Sequence, residues 1–336
     1  MAANNSDMKV VFGAMTFGEP GQPTSRVLTT EDAGPILDVF QRYNHKEIDT
    51  ARVYNTGTSE ELLAAVDWQK RGLVMATKLY PTVGSFIESQ DSYTHKPADV
   101  RRGLLNSLKA LKTDKVDLWY LHGPDRNTPY EDTLREVNKL HQEGYFERLG
   151  VSNYMSWEVA QMCEICKKHG WIMPSVYQGI YHALQRSIEG ELFPCLRNYG
   201  ISLYVYQPLA GGFLTGRYKR DQAEVGADSP FDKDSVHGDW HRTRYWNDAY
   251  FTALEAMQAA GEKHGLTIGE VALRWLKYHS ELKQELGDAI VIGASSVKHL
   301  ETNLIDLAKG PLPDDVVQAV DSAWPLVKGA AVKYWY

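Results

Sequence analysis

Four side chains in the first half of the sequence make chemical sense as one proton-transfer set: a carboxylate at Asp49, a phenol at Tyr54, an amine at Lys78 and an imidazole at His122. A free tyrosine titrates near pH ~10, too high to serve well near neutrality. A lysine ammonium about 4 Å away favours the phenolate by up to about 4 kcal/mol at an effective dielectric of about 20. That lowers the phenol by as much as about three pKa units before desolvation opposes it. An aspartate beside the lysine keeps it charged although buried, and a histidine orients a substrate oxygen. The chemistry this describes is general acid catalysis by a tuned group. Each residue alone has a plainer reading, as a cap, a surface charge, a packed ring or a satisfied core imidazole. Their joint spacing sets them apart.

The elements that must position them are short apolar runs alternating with helix-length amphipathic segments. Eight runs read as strands: Val10–Ala14, Lys46–Asp49, Leu73–Lys78, Val116–Leu121, Arg148–Val151, Ser175–Gln178, Ile201–Tyr206 and Ala289–Ile292. Most are short and apolar, as expected for strands buried on both faces of a parallel sheet. Between them, Thr58 to Glu61 and Thr128 to Glu131 read as capping boxes, the second with Pro129 at the first helical position. Val100, Leu104, Leu108 and Leu111 share one helical face. Eight β-then-α units predict a closed (β/α)8 TIM barrel, with 1–336 as a single domain. One stretch, Arg217 to Trp246, is long and polar and ends in aromatic and basic residues. It reads as a long active-site loop before the last helices.

In such a barrel the site lies at the C-terminal ends of the strands. Asp49, Lys78, His122, Ser152-Asn153, Gln178, Gln207 and Ser295-Ser296 all fall at or just past predicted strand ends. The 336 residues are 43% hydrophobic and 24% charged, the balance of a globular protein. A formal net charge of −7 argues against nucleic acid and against membrane surfaces as partners, while leaving room for a local basic pocket. There is no apolar leader within Met1 to Lys9 and no apolar run long enough to span a membrane. Three cysteines suit a reducing compartment, and the expectation is a cytoplasmic protein. Cys163 and Cys166 form a C-x-x-C with no second pair at zinc spacing, so they read as the buried face of a helix, and Cys195 as buried too.

The residues resemble a known family. Asp49-Thr-Ala-Arg-Val-Tyr54 with Lys78 and His122 looks like the catalytic tetrad of the aldo-keto reductases. The neighbouring words agree: Gly13-Ala-Met-Thr-Phe-Gly18, Asp117-Leu-Trp-Tyr-Leu-His122 and Gly150-Val-Ser-Asn-Tyr154. Tyr206-Gln-Pro-Leu-Ala-Gly-Gly-Phe-Leu-Thr-Gly216, Arg242-Thr-Arg-Tyr-Trp246 and Gly293-Ala-Ser-Ser296 point to the aflatoxin-aldehyde and succinic-semialdehyde reductase branch.

The resemblance implies reduction of a small-molecule carbonyl with Tyr54 as proton donor, Lys78 tuning it, Asp49 pairing with Lys78 and His122 orienting the carbonyl. Hydride would come from NADPH (as NADP+ in the reverse direction), bound without a Rossmann fold, and the chain contains no G-x-G-x-x-G. Ser152, Asn153 and Gln178 match positions that hold the nicotinamide carboxamide, and Tyr206 matches the ring that stacks on it. Gln207 and the segment from Leu209 through Gly211 and Gly212 to Arg217 match the pyrophosphate wrap. Ser295, Ser296, His299 and Asn303 match the adenosine and 2′-phosphate end. Lys219 and Arg220 read as solvent-facing. The substrate side is expected to hold His241, Arg244, Trp246 and Tyr336.

The sequence departs from the branch at several of these. His299 stands where Gln or Arg is usual, Gln207 where Asn is usual, and His241 where Tyr is expected. Val332-Lys-Tyr-Trp-Tyr336 replaces a tail that often carries a carboxylate-gripping arginine. These aromatics suit a bulkier, flatter substrate than a small carboxylated aldehyde. The branch tends to dimerise, so a homodimer is possible, though no residue here establishes one. Two other readings are a cofactor-keeping binding module, like the potassium-channel β-subunits, and a metal-dependent barrel hydrolase. The full tetrad argues against the first, and the lack of His-x-His or paired carboxylates at strand ends against the second.

Overall fold

All eight apolar runs form strands, and each is parallel to the next. They are β1 (Lys9–Gly13), β2 (Glu47–Asp49), β3 (Val74–Leu79), β4 (Val116–Leu121), β5 (Phe146–Ser152), β6 (Pro174–Ile180), β7 (Ser202–Tyr206) and β8 (Ala289–Gly293). The computed structural model describes residues 8–85, 91–222, 225–226 and 229–336. The strands close in sequence order into a barrel. The β1–β8 ladder, from Lys9↔Ala289 to Gly13↔Gly293, seals it. This is a (β/α)8 TIM barrel.

Strand alternation sorts the side chains into two cores. Outward residues such as Phe12, Ile48, Met75, Trp119, Leu149 and Tyr177 are nearly or fully buried against the helix layer. Inward residues build a much smaller apolar cluster of Val11, Ala76, Leu118, Tyr120, Val176, Tyr204, Ala289 and Val291. The rest of the barrel interior is polar. At the N-terminal end, Glu47 accepts from Lys9 at 3.2 Å and Arg148 at 3.3 Å, and Lys9 also donates to the Tyr204 hydroxyl at 2.9 Å. Most apolar burial, and so most hydrophobic stabilisation, therefore lies outside the barrel, leaving the interior free for charged groups.

Both expected capping boxes are absent. The helix at Thr58–Ala65 starts from Gly57, whose φ is 100°, with no side-chain cap, because the Thr58 hydroxyl donates instead to the Asn55 carbonyl at 2.8 Å. The helix at Tyr130–Gln142 starts after Pro129, which takes the cap position and not the first helical one; Thr128 is drawn to Asp125 at 2.7 Å. Local side-chain partners outcompeted the cap in both places. The Arg217–Trp246 stretch also differs from expectation, since it contains a helix at Val236–Tyr245, with Ser235 accepting from the Gly238 amide at 2.9 Å. That helix has no clear apolar periodicity to announce it. It is held by burial of His241, Arg244 and Tyr245.

Cys163 and Cys166 are buried on the helix Ser156–His169, and burial pushes both thiols up to about 12. Cys195 is only half-buried, its thiol directed to the Ser156 carbonyl at 3.3 Å, because the short helix Leu192–Tyr199 turns that position away from the core.

Candidate active site

Asp49, Tyr54, Lys78 and His122 meet at the C-terminal rim. The Lys78 ammonium is fully buried and its three protons are all used: to Asp49 Oδ1 at 2.5 Å, to the Thr50 carbonyl at 2.7 Å and to the Tyr54 hydroxyl at 3.3 Å. The second Asp49 oxygen accepts from Gln178 Nε2 at 2.9 Å. The His122 ring stands edge-on to Tyr54 at 5.8 Å and to Tyr80 at 5.6 Å between centroids.

Tyr54 is not on a strand, so its placement depends on the turn that follows β2. The two residues after it, Asn55 and Thr56, hold left-handed backbone with φ of 50° and 55°. Asn55 secures that conformation. Its Nδ2 donates to the Met15 and Phe17 carbonyls at 2.8 and 2.7 Å, and its Oδ1 accepts from the Thr24 amide and hydroxyl at 3.0 and 2.8 Å. Beneath the turn, Arg52 pairs with the fully buried Glu60 at 2.6 Å, and Glu60 also accepts from Thr77 at 2.6 Å. Gly57 leaves space for that pair, since a Cβ there would lie 1.7 Å from the Arg52 guanidinium. Five of the eight positive-φ non-glycine residues among those described lie at this rim: Asn55, Thr56, Asn153, Gln207 and Ala210. Backbone strain concentrated in one place marks a functional face.

The electrostatics correct one sequence expectation. Burial lifts the Tyr54 phenol above its ordinary value, and Lys78 only partly offsets this, so its net shift is upward. Burial likewise raises the Asp49 carboxyl against the pull of Lys78 and Gln178. Burial opposes the Lys78 ammonium, but Asp49 and Tyr54 together outweigh it and hold it charged. Burial, then Lys78, pushes His122 far below the usual histidine range, so its imidazole is neutral. Its Nδ1 is buried without a hydrogen-bond partner, which leaves Nε2 as the nitrogen available to a ligand.

A carboxylate-held ammonium thus stands beside a phenol at the mouth of a parallel barrel. The profile of the Aldo/keto reductase family covers residues 9–325. The chain belongs to the aldo/keto reductase family. It is 50% identical over 331 residues to aldo-keto reductase pigE of Monascus ruber, covering 97% of each chain. It is 40% identical over 336 residues to human aldo-keto reductase family 7 member A3, covering 97% of this chain and 96% of that one. It is also 40% identical over 340 residues to human aflatoxin B1 aldehyde reductase member 2, covering 96% and 92%. The protein is thus an oxidoreductase acting on carbonyl groups.

Around the rim of this aldo/keto reductase, the residues matched to the nicotinamide end connect directly to the four. Asn153 Nδ2 donates to Ser152 Oγ at 2.9 Å and to the His122 carbonyl at 3.0 Å, and its Oδ1 accepts from the Tyr206 hydroxyl at 2.8 Å. Gln207, with φ of 56°, accepts from Tyr245 at 2.9 Å. Past Leu209, the 3₁₀ turn Ala210–Thr215 holds Gly211 and Gly212 at φ of 64° and 99°. A Cβ on Gly212 would meet nothing within 4 Å, so backbone faces open space there.

At the far end, Ser296 caps the helix Val297–Ala308 by accepting from the His299 amide at 3.2 Å, and Ser295 Oγ lies 3.3 Å from His299 Nδ1. Burial, then Arg217 and Lys298, lowers the His299 pKa, which places two cations near it on a chain of net charge −7. Asn303 lies further along the same helix, half-buried. A helix N-terminus with clustered cations and hydroxyls fits a phosphate. The donor set therefore fits a nicotinamide dinucleotide. Lys219 and Arg220 are exposed, and Arg220 pairs with Asp248 and Glu255.

The residues matched to the substrate side divide. Arg244 is buried and donates to the Tyr336 hydroxyl at 3.1 Å, with its guanidinium 3.4 Å from the Trp240 ring centroid. The Tyr336 amide donates to the Asn153 carbonyl at 3.3 Å, and Tyr336 is close enough to Tyr54 and Tyr80 to raise both phenols. His241 packs against the Gly211 turn, where a Cβ would come within 2.4 Å of its ring. Trp246 departs from expectation: it joins an aromatic cluster with Tyr218, Phe231 and Phe251 under Arg242, inside the loop's own core.

Sequence reasoning missed Tyr80 and Trp240. Tyr80 lies two residues beyond Lys78, just past the end of β3. Trp240 lies four residues before Arg244, a signal legible only once that segment is known to be helical. Among the described residues, no group of three or more His, Cys, Asp or Glu side chains is placed to hold a metal, and no helix is long and apolar enough to cross a membrane.

Proposed function

We propose that this enzyme is an NADPH-dependent reductase of an aldehyde or ketone, with Tyr54 as proton donor and a bulky or aromatic carbonyl compound as substrate. The observation that carries the reading is the fully buried Lys78 ammonium, 2.5 Å from Asp49 and 3.3 Å from the Tyr54 hydroxyl. Ser152, Asn153, Gln178 and Tyr206 at one end and Ser295, Ser296, His299 and Asn303 at the other would hold NADPH, which would supply the hydride. As the carbonyl oxygen becomes an alkoxide it takes the Tyr54 proton, and the phenolate left behind is stabilised by Lys78. Neutral His122 donates one hydrogen bond to the same oxygen and orients it. A phenol raised by burial stays protonated at neutral pH, which suits reduction.

The aromatic wall of Tyr80, Trp240 and Tyr336 supports a flat, bulky substrate. Two human relatives named for aflatoxin B1 aldehyde reduction support an aldehyde. Arg244, with one nitrogen engaged by Tyr336, and Tyr336 itself are read as substrate-side residues. We read the chain as one barrel domain over 1–336 located in the cytoplasm, with a homodimer as the possibility that light scattering tests.

The functional test follows NADPH absorbance with 4-nitrobenzaldehyde for wild type and Tyr54→Phe. Turnover by wild type, lost in the variant while cofactor still binds, is the expected result. An equally active Tyr54→Phe removes Tyr54 from the reaction.

A further inference from the structure

The Lys78 ammonium has a neighbour that its hydrogen bonds do not account for. Lys78 and Tyr120 are register partners on β3 and β4, so both side chains enter the barrel at the same level. Nζ of Lys78 lies over the Tyr120 ring at 5.8 Å from its centroid, as it lies over Tyr54 at 4.8 Å. Tyr120 is completely buried, and its hydroxyl has no hydrogen-bond partner. The hydroxyl therefore does not explain a tyrosine here, and the ring does. The ring is also confined from β5: Gly150 is the partner of Tyr120 there, and a Cβ on it would lie 2.2 Å from the ring. The ring is thus seated against the bare backbone of Gly150, with the ammonium over it.

We propose that Tyr120 is a positioning residue for Lys78, its ring forming the floor that holds the ammonium up against Asp49 and Tyr54. This rests on the proton-donor reading of Tyr54. An aromatic face attracts a cation, most strongly where water is absent. Without that face, the ammonium is less favoured and has room to sink toward the carboxylate of Glu47 at the barrel's other end. Either change withdraws positive charge from the Tyr54 hydroxyl, so the phenolate becomes harder to form. The charged and titratable groups around Lys78 are Asp49, Tyr54, His122 and Tyr336 at the rim, and Tyr120, Glu47, Arg148 and Tyr204 within the barrel.

The readout is the pH profile of kcat for alcohol oxidation with NADP+, whose rising limb reports formation of the Tyr54 phenolate. Tyr120→Leu moves that limb up by about half a pH unit, the equivalent of one cation–ring contact. Tyr120→Phe, which keeps the ring, restores it. Phenylalanines with one, two and three ring fluorines at position 120 keep the shape while draining the negative face, and they move the limb up step by step. This series decides the matter even if Tyr120→Leu does not fold. A limb unmoved across the fluorinated series overturns the proposal, and a Tyr120→Phe limb displaced like that of Tyr120→Leu does so too. Tyr54→Phe run alongside separates the two levels. If it is inactive and the limb stays fixed, only the Tyr120 assignment fails. If it is fully active, the proton-donor reading fails and takes Tyr120 with it.

Discussion

Replacing Lys78 by methionine tests the electrostatic account most directly, because the side chain keeps its length and loses its charge. At 3.3 Å and an effective dielectric of about 20, the ammonium stabilises a Tyr54 phenolate by about 5 kcal/mol, or about 3.7 pKa units. That is an upper bound. Asp49 acts on Tyr54 in the opposite direction and, having lost its partner, takes up a proton, which removes its own charge. The two losses partly cancel, and we expect the phenol to rise by about 2 units. With about half of that expressed in the proton-transfer barrier, turnover falls by about tenfold from acid strength alone, and further from lost positioning. The overall equilibrium is unchanged, so where the ratio of NADP+ to NADPH affinity is also unchanged, oxidation and reduction lose the same factor in kcat/KM at any one pH. The assay is the pair of rates across pH, with the rising limb of oxidation as the marker. A limb that stays in place while the rate falls would show that Lys78 only positions Tyr54, and would refute the tuning argument.

Three further outcomes follow from other parts of the structure. Burial holds His95 at about 4 and His182 at about 3, both fully enclosed, so each is neutral in the native state while the unfolded chain binds protons below about 6.5. Their contribution is fully present above that pH and is lost as pH falls. Between pH 6.5 and 5 each removes about 2 kcal/mol, and urea unfolding should show a shallower pH slope in His95→Gln or His182→Gln. Gly57→Ala drives a Cβ into Arg52 at a backbone φ of 100° and separates it from Glu60; we expect a loss of about 3 kcal/mol in thermal or urea stability, and an unchanged midpoint would count against the role given to that pair. His299→Arg places a permanent charge beside Arg217 and Lys298 and should tighten NADPH relative to NADH by about tenfold at pH 8, read by fluorescence titration; no change in the ratio would remove His299 from the phosphate end.

The sequence was most readable where period and chemistry coincide. Every strand appears within two residues of its expected bounds because most are short apolar runs, even though charged residues such as Glu47, Lys78 and Arg148 interrupt some of them. Asp49, Lys78 and His122 could be placed because a barrel brings strand ends together whatever the loops do. Other features depend on distances that no local pattern encodes. The expectation for Tyr54 weighed Lys78 correctly but could not weigh burial, which depends on how the turn after β2 folds onto Met15, Phe17 and Thr24. The helix Val236–Tyr245 carries no apolar stripe, so its tertiary contacts alone reveal it. Trp246 looked like a pocket residue by composition, yet the loop needed a core of its own. The pairing of Tyr120 with Lys78 requires the β3–β4 register, which follows only from the closed sheet.

The order of strands around the barrel gives the molecule a division of labour along its chain. The groups proposed for proton movement come from residues 49 to 122, on or just after β2 to β4. The groups proposed to hold the dinucleotide come from residues 152 to 303, on or just after β5 to β8. The seams between these arcs are ordinary parallel ladders, β4–β5 on one side and β8–β1 on the other. Chimeras of this chain with a relative, joined between His122 and Phe146, should therefore inherit acid–base behaviour from one parent and nucleotide preference from the other.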